Sequence, residues 1–179
     1  VQQGQVDVAY RSMTPTDVED LSKDNKVKVV KGPGGEERFL AFNFKIMPYG
    51  EKSSEPNADK AKAVRQAVAS LIDRNELATK VYKSTYTPLY SFIPDGLSGH
   101  DDTLKEAYGD GSGKPDAAKA KKTLEAAGVK TPVDLKLQYN PDHYGQSSAD
   151  EYAAIKAQLE EGGLFKVDLQ STEWTQFNK

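Results

Sequence analysis

The polar side chains best placed for chemistry gather in one loop, Asn140-Pro141-Asp142-His143-Tyr144-Gly145, with Glu151 just beyond it. Asn140, Asp142, Gly145 and Glu151 fall at positions 1, 3, 6 and 12 of a calcium-binding loop, which wants oxygen ligands at 1, 3, 5 and 12 and a turn glycine at 6. Tyr144 at position 5 breaks that set, the segment before the loop reads as a strand rather than a helix, and Glu151 is accounted for as a helix-capping residue. We therefore expect no metal ligands here. His100 and His143 are the only two histidines, and neither sits in an HExxH, GxSxG or Ser-x-x-Lys pattern. His100, between Gly99 and Asp101, reads as a loop residue. Most carboxylates lie at helix starts or on polar faces, where capping and solvation explain them. No catalytic residue and no cofactor are expected. Two glycine runs suggest phosphate binding only superficially. Gly32-Pro33-Gly34-Gly35 lacks the Lys-Ser/Thr of a phosphate loop, and Gly111-Ser112-Gly113-Lys114 runs straight into Pro115 with no hydrophobic strand before it, so both read as turns.

The loop is positioned by the best-organised third of the chain. Residues 133–139 alternate with period two, Ser148 and Glu151 form a capping-box pattern, Tyr152, Ile155 and Leu159 share one helix face, and Gly162-Gly163 supplies a stop. Residues 167–170 give a second strand. With roughly 25 residues between them, the two strands should be parallel and joined by a right-handed helical crossover. The 140–145 loop then lies at the carboxyl end of a parallel strand, where open α/β sheets tend to place ligands. Upstream, Pro115 and Asp116 open a helix with inner face Ala117, Ala120, Leu124 and Ala127, stopped by Gly128.

Residues 38–44, with Phe39, Leu40, Phe42 and Phe44, read as a strand buried on at least one face. After a polar loop over 49–57, a helix begins near Asn57 or Asp59 and carries Val64, Val68, Leu71 and Ile72 on one stripe. Asp73 and Glu76 form a capping box for the next helix, with Leu77 and Val81 continuing the stripe, and the prolines of residues 86–96 force an extended, aromatic path. Residues 6–10 and 27–30 read as short strands. Between them Thr14, Pro15 and Asp17 start a helix through Val18 and Leu21. Residues 103–108 form a weak helical patch, and Trp174, after the last strand, is expected to complete a core edge.

With 179 residues and 37% hydrophobic side chains the chain can bury one sizeable core, so residues 1–179 are read as a single α/β domain. Twenty-four basic against 27 acidic residues give a net charge of −3 and no electrostatic case for nucleic acid or an anionic membrane surface. The absence of cysteine excludes disulfides and thiolate chemistry. No run approaches the roughly 20 apolar residues of a membrane span. The N-terminus has neither a signal-peptide pattern nor an initiator Met, and the chain is expected to be a piece of a longer one.

Several of these segments, in order, resemble the extracellular solute-binding proteins of ABC importers, in the peptide and nickel class known as family 5. They are Ala41-Phe42-Asn43, Val64-Arg65-Gln66-Ala67, Ile72-Asp73-Arg74, Val81-Tyr82, Thr87-Pro88 and Ile93-Pro94, continuing through Gly128 to Glu173-Trp174. The resemblance implies one incomplete lobe of a two-lobed, type II periplasmic-binding-protein-like fold, a mixed sheet flanked by helices. It implies a bacterial, non-enzymatic protein that captures a peptide or similar solute and delivers it to ABC permease subunits. Its further partner would be the second lobe of its own chain. Membrane association would come only through a lipid anchor outside this fragment, at the periplasmic or extracellular face. Carried over residue by residue, it suggests Asn43 as a cleft-facing polar residue and Asn140, Asp142, His143 and Tyr144 as the cleft rim. The loop contains no arginine for a carboxylate clamp, and the 49–57 loop is longer than the family's usual turn. Read without the resemblance, Asn43 caps a strand end and 140–145 is a turn. Other functional readings are an adhesion or protein-interaction module on the same lobe and, more distantly, a hydrolase dependent on His143.

Overall fold

The computed structural model describes residues 1–10 and 13–177. In chain order the elements are α1 (Pro15–Leu21), α2 (Ala58–Leu71), α3 (Arg74–Glu76) running into a π-helical turn (Leu77–Val81), α4 (Thr103–Ala107), α5 (Ala117–Ala126), β1 (Val133–Tyr139), α6 (Ser148–Glu161), β2 (Phe165–Ser171) and α7 (Trp174–Phe177). The fold is α/β. No helix among the described residues is long and apolar enough to cross a membrane.

Local chemistry explains most helix ends. Thr14 and Asp17 form a reciprocal capping box with Pro15 in the first turn. The Asn57 side chain accepts from the Lys60 N–H, and Asp116 from the Lys119 N–H, each satisfying a donor that the first helical turn leaves unpaired. Helix α5 ends where Gly128 takes up φ 67°, a left-handed conformation that costs glycine little. β1 and β2 pair in parallel, from Val133 opposite Phe165 to Tyr139 opposite Ser171. On β1, Val133, Leu135 and Leu137 point into the core and alternate with exposed residues, as a half-buried strand requires. Helix α6 packs on both strands and α2 on α5. Val64, Ala67, Ala120, Leu124 and Leu159 are completely buried where these layers meet.

Three expected strands do not form. Residues 6–10, 27–30 and 38–44 join no ladder, Phe44 already opening a turn, and Val8, Tyr10, Val30 and Phe39 are 80%, 82%, 78% and 72% exposed. A strand is completed by hydrogen bonds to a neighbour, and composition alone does not supply one. Residues 38–43 nevertheless keep a period-two pattern, with Arg38, Leu40 and Phe42 half-buried and Phe39, Ala41 and Asn43 outward. Of the expected mixed sheet, the described residues therefore contain two parallel strands. The chain exposes 12027 Å², against roughly 8,600 Å² for a compact protein of its mass, so much of this apolar surface has no cover from the described residues.

Three further expectations are corrected. Ser147 stands at the N-terminal boundary of helix α6 without a side-chain cap bond, and no Ser148–Glu151 box forms, because both of those side chains are buried and bonded to Arg38. Asp73 caps Glu76 as expected, but the return bond comes from a distant side chain. Gln158 Oε1 accepts from the Asp73 N–H at 3.0 Å, while Gln158 Nε2 donates to Glu76 Oε2 at 2.9 Å. Ala117 is exposed, so the inner face of α5 begins at Ala120.

The turn after Asn43 depends on a close backbone approach. A Cβ on Gly50 would lie 2.6 Å from the Phe44 carbonyl oxygen and 2.9 Å from those of Lys45 and Met47. Gly50→Ala should therefore destabilise the chain by about 1–3 kcal/mol, the usual cost of forcing atoms into a filled space. Urea melts of the two proteins measure it.

Candidate functional site

The loop after β1 is held shut by its own first residue. Asn140, 2% exposed, donates from Nδ2 to Asp142 Oδ1 at 2.8 Å and to the Thr172 carbonyl at 3.0 Å, and its Oδ1 accepts from the His143 N–H at 2.6 Å. Its polar atoms are thus spent inside the protein, where burial without partners would be costly. Asp142 Oδ1 also accepts from the Trp174 N–H at 3.1 Å, which ties the loop to the start of α7.

The next two residues build an aromatic surface. The His143 ring stacks on Trp174 with centroids 3.8 Å apart and planes 3° from parallel. Tyr144 stands edge-on to both, at 4.9 Å from His143 and 5.4 Å from Trp174, and Phe177 stacks with Trp174 at 6.1 Å. The two edge-to-face contacts of Tyr144 match the ring quadrupoles. Asp142, His143 and Tyr144 are exposed, so the carboxylate and the ring edges meet solvent together at the carboxyl end of β1. Trp174 is half-buried: it supports the loop and presents part of its ring, rather than closing the core edge alone.

Beneath the loop lies a charged cluster that single-sequence reading missed. Arg38 Nη2 and Nε donate to Glu151 Oε2 at 2.7 and 3.1 Å, Nη2 also to Ser148 Oγ at 3.1 Å, and Nη1 to the Tyr144 carbonyl at 2.8 Å. Tyr82 donates its hydroxyl to the same Glu151 oxygen at 2.8 Å, and the guanidinium lies 5.5 Å from the Tyr82 ring centroid. Burial, reinforced by the charge of Glu151 and the bond to it, pushes the Tyr82 hydroxyl well above its ordinary range and keeps it a neutral donor. Burial works against the Arg38 charge, but the hydrogen bond and charge of Glu151 outweigh it and raise its pKa. Glu151 is therefore committed to a guanidinium and a phenol rather than turned toward Asn140 and Asp142. No local periodicity links Arg38 to a residue 113 positions on.

Asn43 stands apart from this cluster. It is exposed, its Oδ1 accepts from the Lys45 N–H at 3.1 Å, and its carbonyl accepts from the N–H groups of Ile46 and Met47. These bonds make it the first residue of a turn. The loop thus gathers four of the five expected site residues, with Trp174 and Phe177 added, while Asn43 is fixed by its own turn.

His100 is a loop residue with a pH-dependent contact. Its Nδ1 bonds the Ile93 carbonyl at 2.8 Å, and Nε2 is 3.5 Å from Asp102 Oδ1. The bond to Ile93, then the charges of Asp102, Asp95 and Asp101, raise its pKa above the ordinary 6.5. A raised folded-state pKa adds stability that is fully present below the ordinary value and is lost as pH rises through the folded one. Thermal melts between about pH 5 and pH 8 should show this loss in the parent chain and a flatter profile in His100→Gln.

Residues 1–179 match the family model described as bacterial extracellular solute-binding proteins, family 5 Middle. The chain is 28% identical over 186 aligned residues to the dipeptide-binding protein DppE of Bacillus subtilis, covering 98% of this chain and 30% of that relative. It is 23% identical over 169 residues to di/tripeptide-binding protein 3 of Pseudomonas aeruginosa, covering 92% of this chain and 28% of that relative. Two solved structures are similar at 26% identity, each covering 68% of this chain and 24% of the other. They are the ABC transporter substrate-binding protein CtaP of Listeria monocytogenes, with TM-score 0.55, and the murein tripeptide-binding protein MppA of Escherichia coli, with TM-score 0.54. The chain spans 30% and 28% of the length of the two relatives.

Proposed function

The chain belongs to the bacterial extracellular solute-binding proteins of family 5, and from that premise we propose that residues 1–179 are part of one α/β lobe of a protein that captures a peptide. The loaded protein hands its cargo to the permease of an ABC importer, at the periplasmic or extracellular face of the membrane, with a lipid anchor outside this segment. The second lobe comes from the same longer chain. A solute held between two lobes favours the closed state because it contacts both. The lobe acts by binding, with no catalytic step.

One observation carries this reading: Asp142, His143 and Tyr144 emerge together at the carboxyl end of a parallel strand, backed by Trp174. Ring faces and edges accept the side chains and amide planes of many peptides. With an acidic residue and no arginine, the loop suits the ammonium end of a peptide better than its carboxylate. Asn140 shapes the rim from within, and Asn43, apart from the loop, offers an exposed amide on its own turn.

The full-length protein is the one to test, by thermal shift against a panel of di- and tripeptides. Ligand at 100 times its Kd should stabilise by about 2.7 kcal/mol, and Asp142→Asn or Tyr144→Ala should reduce the shift. No shift across the panel would overturn the reading. A protein partner captured without any small-molecule shift would make the lobe an interaction module instead.

A further inference from the structure

Arg38 makes more contacts than an ion pair requires. One side of its guanidinium is fixed by Glu151 and Ser148, at the first turn of α6, and the remaining nitrogen, Nη1, reaches the Tyr144 carbonyl across 106 residues of sequence. Glu151 is held in turn by Tyr82, which follows the π-helical turn. The two ends of the 140–145 loop are therefore secured differently. Asn140 and Asp142 tie its start to Thr172 and Trp174, whereas its exposed end, at Tyr144, is held by Arg38. The planar fork of arginine can hold a carboxylate and a carbonyl at once, which a point-charge ammonium does not do in the same geometry.

We propose that Arg38 is a positioning residue for the binding rim: by fixing the Tyr144 carbonyl against α6, it holds the Tyr144 ring edge-on to the His143–Trp174 stack and so preorganises the aromatic surface that meets the solute. The inference rests on the peptide-binding reading for its affinity consequence, but the loop-ordering consequence does not depend on any ligand. A rim already in its bound shape binds more tightly because less ordering remains to be done on binding.

The test uses the full-length protein and two variants. Arg38→Lys keeps a cation beside Glu151 without the fork, and the paired Arg38→Met/Glu151→Leu replaces the buried ions by apolar groups of similar size, keeping the test valid if the lysine variant folds poorly. Hydrogen–deuterium exchange by mass spectrometry should show peptides covering 141–146 exchanging at least about tenfold faster in both variants, with the β1 and α6 core unchanged. Affinity for dialanine and trialanine should fall by about tenfold in step with it. A purely structural role predicts faster exchange across the whole lobe in proportion to lost stability. That outcome, or unchanged loop exchange and affinity, overturns the proposal. Faster loop exchange in a protein whose parent form binds none of the peptides upholds the positioning role and overturns the peptide reading instead.

Discussion

Glu151→Ala is expected to lower the unfolding free energy by about 3–5 kcal/mol, the cost of stranding one member of a buried ion pair. Glu151 is 8% exposed, and its Oε2 receives three hydrogen bonds, two from Arg38 and one from Tyr82. Removing it leaves the guanidinium with Ser148 and the Tyr144 carbonyl, neither of which carries compensating charge. The Arg38 side chain is 23% exposed, so water can partly resolvate it, and the lower half of the range is the better expectation. Tyr82→Phe removes one bond to a charged acceptor and should cost about 1.5–3 kcal/mol. Replacing both charged partners by apolar side chains should leave stability closer to the parent than Glu151→Ala does, because no ion is left stranded. Urea melts of Arg38→Met, Glu151→Leu and their pair form a double-mutant cycle that reads this coupling directly. A Glu151→Ala cost within about 0.5 kcal/mol, the range of ordinary surface substitutions, would show that the cluster is hydrated and carries little of the fold.

That cluster also shows where the sequence stops being readable. The β1–α6–β2 unit is legible because its signals are local: period-two alternation from Val133, the Ile155 and Leu159 stripe, and Gly162-Gly163 after the last turn all act within a few residues. The caps at Thr14, Asn57, Asp73 and Asp116 are legible for the same reason. Ser148 and Glu151 carry the local signature of a capping box, but a guanidinium brought in from Arg38 binds both more strongly than a backbone N–H does. Gln158 completes the Asp73 cap in the same non-local way. Residues 38–43 show the converse: alternation and aromatic content are local and present, whereas a ladder partner is not a local property. In the loop, residue types singled out the residues proposed for the rim, yet Asn140 as the loop's internal brace, and Trp174 as the ring under His143, required the fold.

Leu159→Ala is expected to cost about 2–5 kcal/mol, combining lost transfer free energy with the cavity left behind. Leu159 is 0% exposed on the face of α6 that packs against both strands, in one cluster with Ile155, Leu137 and Val167. The upper half of the range is expected, because those neighbours are held by a paired ladder and a 14-residue helix and cannot readily collapse into the space. Leu159→Met, which nearly conserves volume, should cost less than about 1.5 kcal/mol, and Leu97→Ala, at a position 50% exposed, should stay within about 0.5 kcal/mol. This ordering in urea melts is the check. If Leu159→Ala fell level with Leu97→Ala, α6 would not be the helix that backs the sheet. The loop at the end of β1 would then lose the rigid base on which Arg38, through Ser148 and Glu151, secures its far end.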